Sequence, residues 1–496
     1  MSSKNVIIIG SGFAGLSAAC FMAKAGWKVT VLEKNEQPGG RARQLKIDGF
    51  SFDMGPSWYW MPEIFERFFN QFNKSDGDYY ELTRLDPSYR IYWQTATADM
   101  PAAYEDIKDL FESIEFGSGN KLDLFLKEAA YKYRAGMHNM AYKPNLHLTE
   151  LFDGDFFKGI FKLDMFTSIS NHVKKYFNHP HIQQLLEFPV LFLGALPEEI
   201  PALYSLMNYA DIRGGSWFPK GGMYSVVNAL YKLALELGAE FHFNRNVTKI
   251  EFLNRHAKKV VVENTEKRVL VYDADVIISN ADYHFTETKL LPPVLRNYTN
   301  RYWNKRKISP SCILYYVGLN KKLKKFPHHT LFFDTSFKLH ANQIYKTKQW
   351  PTDPLFYVSA TSVTDETLAP PGCENLCFLV PVAAGLTHDT EGVRDFYFDQ
   401  IITRFETRTE QSIRDNIIVK KTFSVSDFEH DYNAYKGNAY GLANTILQTA
   451  FLRPSIKNKK VKNLFYTGQF TVPGPGVPPA IISGEIVAKH VIKNFG

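Results

Sequence analysis

The stretch Val6-Ile7-Ile8-Ile9-Gly10-Ser11-Gly12-Phe13-Ala14-Gly15 decides how the rest of the chain is read. Its short apolar run has the length and β-branched character of a buried strand, and the glycines that follow end it in a tight turn. Small residues from Leu16 to Ala25 predict a helix, Gly26 stops it, and Lys28 to Leu32 reads as a second strand. A parallel β-α-β unit within about thirty residues is the outcome. The three glycines have separate tasks: the first turns the chain, the second lets backbone amides approach a pyrophosphate, and the third lets helix and strand pack closely. Glu33 directly follows the second strand, where its carboxylate can accept from the ribose hydroxyls of a bound dinucleotide. The helix N-terminus faces the phosphates.

Composition bounds the remainder. With 496 residues the chain holds two to four structural units, and 45% hydrophobic with 22% charged residues excludes a disordered or collagen-like polymer. A net charge of +7 from 58 basic and 51 acidic residues is too evenly mixed for a nucleic-acid partner, while leaving an anionic membrane surface open. Aromatic content stands out, with 39 Phe, 27 Tyr and 7 Trp to be placed in cores or along a ligand tunnel. Cys20, Cys312, Cys373 and Cys377 are too few and scattered for a disulfide framework or a zinc site, so a reducing, cytoplasmic setting is expected. No stretch reads as a targeting peptide or membrane span, and with a mean hydropathy of -0.25 any membrane contact is expected to be peripheral.

Five segments follow along the chain. Residues 1–100 form the first part of a nucleotide domain. Residues 101–215 form a helical insertion with phenylalanine clusters. Residues 216–282 return to the nucleotide domain through Trp217-Phe218-Pro219-Lys220-Gly221-Gly222-Met223, a helix to about Leu237, a strand near Glu240 to Asn244, a small meander and a buried strand within Ala274 to Asp282. Residues 283–440 read as a mixed substrate domain, with strands at Ser311 to Leu319, Leu355 to Ser362 and Leu376 to Val382 and a helix near Val393 to Arg408. Residues 441–496 close the nucleotide domain with a strand ending at Gly468 and a helix from Ala480 to Ile492.

Three further motifs carry chemistry. Pro38-Gly39-Gly40-Arg41-Ala42-Arg43 exposes backbone amides beside an arginine fork suited to phosphate or flavin. In Phe52-Asp53-Met54-Gly55-Pro56-Ser57 a tight bend can press main chain against a flat ring, and Pro473-Gly474-Pro475-Gly476-Val477-Pro478 offers a second such bend. In this order the motifs resemble the flavin amine oxidase and phytoene desaturase superfamily, and the C-terminal run resembles bacterial carotenoid desaturases of the phytoene or hydroxycarotenoid type. One position departs from the pattern: Val472 stands where many relatives carry a histidine.

The resemblance implies an α/β fold with a discontinuous Rossmann-like FAD-binding domain of the glutathione reductase type and a mixed α+β substrate domain. It implies non-covalent FAD held by Gly10, Gly12, Ala14, Gly15, Glu33, Lys34, Gly40, Arg41, Ala42, Gly55, Pro56, Ser57, Val247, Gly468, Gly476 and Val477. A long polyene hydrocarbon would lose hydride to the flavin and a proton from the adjacent carbon, and a quinone or oxygen would take up the electrons. A carotene cis-trans isomerase and a non-enzymatic flavin or lipid carrier are the alternatives. Localisation is expected at the inner face of a membrane, with Phe152, Phe156, Phe157 and Phe161 as one docking candidate. No side chain stands out as a general base; His172, His181, Glu187 and Asp211 lie in the insertion and read as structural. His328-His329 has no acidic or cysteine neighbour at ligand spacing, and no metal is expected.

Overall fold

The computed structural model describes residues 4–144, 146, 164, 167–191 and 193–496. The opening motif folds as β1 (Asn5–Ile9), α1 (Phe13–Lys24) and β2 (Lys28–Leu32). β1 and β2 are central in a five-stranded sheet ordered Leu464–Tyr466, Val276–Ser279, β1, β2, Glu240–His242, and every pairing in it is parallel. Strands from three distant parts of the sequence therefore complete one nucleotide-binding sheet, as a discontinuous Rossmann-like domain requires.

α1 packs against the helices Met223–Glu236 and Val477–Phe495. The second crossing is close enough that a Cβ on Gly484 would lie 2.3 Å from the Ala14 carbonyl oxygen, and Ser17 Oγ donates to the Ile481 carbonyl at 2.7 Å. This contact fastens the C-terminal helix to the first one.

A seven-stranded sheet forms the second body, ordered Ile417–Phe423, Ser311–Leu319, Glu374–Val382, Phe356–Ser359, His329–Phe333, Tyr89–Trp93, Thr97–Met100. Alternation divides its residues between two faces. Ile313, Tyr315, Val317, Phe332, Val358 and Phe378 pack with Tyr397, Ile401 and Phe405 of the helix Glu391–Thr409. Leu314, Leu331, Phe333, Tyr357 and Leu379, in the alternate positions, turn to the opposite side and line a cavity facing the first sheet. Two of the strands, Tyr89–Trp93 and Thr97–Met100, come from the segment expected within the first nucleotide part; they join this sheet because Tyr89–Trp93 pairs in parallel with His329–Phe333.

The insertion supplies the helices Tyr104–Ile114, Ser118–Tyr133, Ile169–Lys174 and Pro180–Leu191. Phe152, Phe156, Phe157 and Phe161 lie outside the described residues. Among the described residues no helix is long and apolar enough to cross a membrane.

Candidate functional site

The glycine turn is held from beneath by the acid that ends β2. Glu33 Oε2 accepts from the Ser11 N–H at 2.8 Å and the Ser11 hydroxyl at 2.7 Å, while Oε1 accepts from the Asn35 N–H at 2.9 Å. At 4% exposed, this carboxylate shapes the loop, a task that spacing alone does not reveal. Gly10 has φ +91°, and a Cβ on Gly15 would lie 2.2 Å from the Gly10 carbonyl oxygen. The third glycine is thus required by packing. Asn280, at the end of the strand Val276–Ser279, closes the turn from the other side; with its amide oxygen toward the loop it accepts from the Gly12 N–H at 3.1 Å and the Gly15 N–H at 3.3 Å.

α1 begins at Gly12, which brings no side-chain cap of its own, and has no acidic residue in its first turn; Asn280 takes the Gly12 and Gly15 N–H groups. The C-terminal helix likewise begins at Gly476, without a side-chain cap. Both N-termini open into the same cavity, where the partial positive charge of a helix start suits anions; Pro478 and Pro479 give the second helix no N–H at those two positions. Arg41 is half-buried at this space. Its guanidinium is held by the Gln469 amide oxygen at 3.0 and 3.1 Å and by the Asn438 carbonyl at 3.2 Å, and its Nε has no partner. Burial lowers the Arg41 pKa, and the neighbouring Asp282 opposes that shift. Arg245 Nε, also at the cavity wall, is another buried donor without a partner.

These features bring the predicted residues together. Gly10, Gly12, Ala14, Glu33, Lys34, Gly40, Arg41, Ala42, Gly55, Pro56, Ser57, Val247, Gly468, Gly476 and Val477 all line one cavity of about 570 Å³, and Gly15 packs directly behind it. Lys34 turns its ammonium to the His430 carbonyl. Val247 precedes a β-bulge in the strand Arg245–Leu253. Ser11, Arg245, Asn280 and Gln469 were not singled out by the sequence. Ser11 stands within the turn itself, while the other three depend on a strand end or loop that only the fold brings to it.

Asp53 has a task beyond its own bend. Its carboxylate accepts from the Met223 and Tyr224 N–H groups at 2.8 and 3.0 Å, capping the helix Met223–Glu236, and a Cβ on Gly222 would lie 2.6 Å from its Oδ2. The segment Trp217 to Met223 and the turn Asp53 to Pro56 are thereby locked together. Burial pushes the Asp53 pKa up to about 6, against the lowering effect of those two backbone hydrogen bonds.

Away from the glycine turn the cavity becomes apolar. Trp58, Phe188, Leu331, Phe333, Leu355, Tyr357, Met137, Leu203, Leu206 and Ile344 are among its lining side chains. None of His172, His181, Glu187 and Asp211 lines it. His172 is buried beside Lys132, His181 stacks on Trp93 at 4.3 Å, and Asp211 accepts from the Tyr89 hydroxyl at 2.9 Å. Among the described residues, Glu128, Asp164 and His172 bring potential metal-binding atoms within 4.8 Å of one another. Lys132 Nζ already supplies a cation there, 2.9 Å from Asp164 and 3.4 Å from His172 Nε2.

The flavin containing amine oxidoreductase family model matches residues 13–492, and the chain belongs to that family. A carotenoid 3,4-desaturase of Haloarcula japonica is 39% identical over 497 residues, covering 100% of this chain and 99% of the relative. A zeta-carotene-forming phytoene desaturase of Myxococcus xanthus is 30% identical, covering 99% and 94%. Among solved structures, an oxidoreductase from Methanosarcina mazei shares the fold at a TM-score of 0.65 and 16% identity, covering 98% of this chain and 100% of that one. The cofactor is a flavin, FAD in this family. The two glycine-led helix starts, the glycine cradle and the unpartnered donors of Arg41 and Arg245 fit a dinucleotide of that kind.

Proposed function

We propose that the chain is an FAD-dependent carotenoid desaturase that introduces trans double bonds into a long polyene. The observation that carries this is the continuity of the cavity, which runs from an anion-binding glycine turn into an aromatic and aliphatic tunnel without a wall between them. Such a tunnel suits a hydrocarbon, since it offers dispersion contacts and asks for no hydrogen bonds. The relatives named carotenoid 3,4-desaturase and phytoene desaturase, alike along nearly their whole length, support the same substrate class.

Bound FAD supplies a two-electron acceptor for the hydride leaving an allylic carbon. The protein's residues hold the reactants and exclude water. Gly10, Gly12 and the start of α1 would receive the pyrophosphate and Glu33 the ribose, while Arg41, Gly55 to Ser57, Gly468 and Gly476 would border the ring system. Trp58, Leu331, Phe333 and Leu379 would keep the polyene straight and dry, so that positive charge left by hydride loss stays spread along the conjugated chain.

A water-insoluble substrate must come from a bilayer, and the cavity wall offers an entrance. Thr449 and Ala450 line the cavity, and beside them Leu447, Phe451 and Leu452 are 74%, 40% and 38% exposed. Gln448 exchanges hydrogen bonds with the Lys307 backbone, which brings Lys305, Arg306 and Lys307 next to this apolar strip. Apolar side chains beside basic ones suit a peripheral contact with an anionic membrane. A quinone dissolved in that membrane, or oxygen, would reoxidise the flavin.

The test is product analysis with purified holoenzyme and liposomes carrying phytoene, lycopene or a 1-hydroxy carotenoid. Desaturation shifts product absorbance to longer wavelength. An isomerase would leave the chromophore length unchanged, and a carrier would return the substrate intact; either result would overturn the reading.

A further inference from the structure

Desaturation releases a proton as well as a hydride, and Tyr357 offers a hydroxyl at the cavity wall to take it. Of the imidazoles and phenols at that wall, which also include Tyr204, Tyr283, Tyr432 and Tyr440, three can be compared. His340 has both nitrogens engaged with backbone, Nδ1 accepting from the Leu355 N–H at 3.1 Å and Nε2 at 2.9 Å from the Pro381 carbonyl. Tyr345 donates to the Leu191 carbonyl at 3.0 Å. A backbone carbonyl cannot accept that proton outright. Tyr357 differs: it lines the cavity, and its hydroxyl meets His329 Nδ1 at 2.6 Å, a group that can.

We infer that Tyr357 takes the proton lost from the carbon next to the hydride donor and passes its own proton to His329. This rests on the desaturase reading. One C–H bond gives up its hydrogen with both electrons to the flavin. The neighbouring C–H bond then breaks heterolytically: its electron pair becomes the new C=C bond, its proton forms an O–H bond on Tyr357, and the tyrosine's own proton moves to His329 Nδ1. The result is a neutral phenol and an imidazolium.

The surroundings suit each step. His329 is fully buried and its Nε2 has no partner, and burial holds its pKa well below the ordinary value. It is accordingly neutral and able to accept beforehand. A weak acceptor suffices, because a C–H bond beside an allylic cation is far more acidic than an imidazolium, and the same weakness returns the proton promptly. Trp58 stacks on the imidazole at 4.1 Å and 18°, where its π face can stabilise the transient charge. Return is also provided for. Ser57, Ser359, Tyr357 and Asp53 line a second, mostly apolar cavity of about 20 Å³, room for one water molecule, and the Ser359 Oγ there has no other partner. Asp53, with its pKa raised to about 6, can receive a proton there.

The experiment uses FAD-loaded protein mixed anaerobically with a convertible carotenoid, deuterated either at the hydride-donor carbon or at its neighbour. Tyr357→Phe should keep its FAD and form the new double bond at least about a hundredfold more slowly. Deuterium at the neighbouring carbon should slow this variant and not the wild type. His329→Asn retains an oxygen that can accept from the Tyr357 hydroxyl but cannot take up a proton, so it should be slowed in the same way, whereas a purely structural histidine would be rescued. Should Tyr357→Phe not retain FAD, His329→Asn carries the test. Variants within twofold of an active wild type, with unchanged isotope effects, would overturn this step alone. A wild type that reduces no flavin with any polyene would overturn the desaturase reading, and the step with it.

Discussion

The two ends of the central cavity are built by different means. At the glycine turn, recognition comes from main chain: N–H groups of a short local segment, opened by glycines and steadied by Glu33 and Asn280. At the tunnel, it comes from side chains on a loop, a helix and strands hundreds of residues apart, such as Trp58 with Phe188, Leu331 and Tyr357. Backbone recognition demands particular residue types at fixed spacing. Apolar tunnel walls demand only volume and greasiness, which many residues satisfy. The first end should therefore break sharply under single substitutions and the second should degrade by degrees.

The largest effect is expected at the turn itself. Gly12→Val places branched carbon where a Cβ alone would already lie 3.0 Å from Asn280 Nδ2, and it fills the approach to the α1 N-terminus. The purified variant should contain no yellow flavin and regain none on addition of FAD. Flavin absorbance at equal protein concentration checks this.

Glu33→Ala should follow. It deletes the acceptor of three hydrogen bonds, two from Ser11 and one from Asn35, each worth on the order of 1.5 to 3 kcal/mol when the acceptor is charged. The FAD dissociation constant should rise at least about tenfold. Because the carboxylate also organises the loop, the melting temperature of the apoprotein should fall as well. Binding titration and thermal unfolding measure the two separately.

A smaller, pH-dependent effect should appear behind the tunnel. Burial pushes the Asp211 carboxyl up to about 7, only partly offset by the Tyr89 hydroxyl and Arg84. A carboxyl whose pKa rises on folding contributes its full stability below its unfolded value near ~4 and loses it as pH climbs through about 7. Wild-type protein should lose more stability than Asp211→Asn between pH 4 and pH 7, by an amount on the order of a few kcal/mol. Parallel denaturant titrations of the two across that window would show it.

The smallest expected change is at the proposed entrance. Leu447→Ser with Phe451→Ser should reduce sedimentation with anionic liposomes by several-fold and leave FAD content alone, since neither residue lies at the glycine turn. High salt should weaken the wild type's binding through Lys305 to Lys307. Unchanged sedimentation would move the membrane contact elsewhere.

The same contrast explains what could be read from the residues. β1, α1, β2 and Glu33 are contiguous, so their geometry is written in spacing, and the predicted strands within Ala274 to Asp282 and Asn463 to Gly468 take their places in the same sheet. Ser311 to Leu319 is likewise found with the same bounds, because nine residues of strongly apolar and aromatic character suit only a central strand. Tyr89–Trp93 and His329–Phe333 were not anticipated as partners. Each is five residues long, and their pairing spans more than two hundred residues, for which no local pattern exists. His329 shows the limit most clearly. Beside His328 it carries no ligand pattern, and its relation to Tyr357 exists only because adjacent strands place them side by side.

The proposed function makes the glycine turn and the tunnel one reaction chamber. Its most direct test is an anaerobic single turnover, following flavin and polyene absorbance together after mixing FAD-loaded protein with carotenoid in liposomes. One flavin should be bleached for each double bond gained, with both changes sharing one rate constant. Flavin that stays oxidised while the carotenoid changes, or bleaches without lengthening the chromophore, would contradict it.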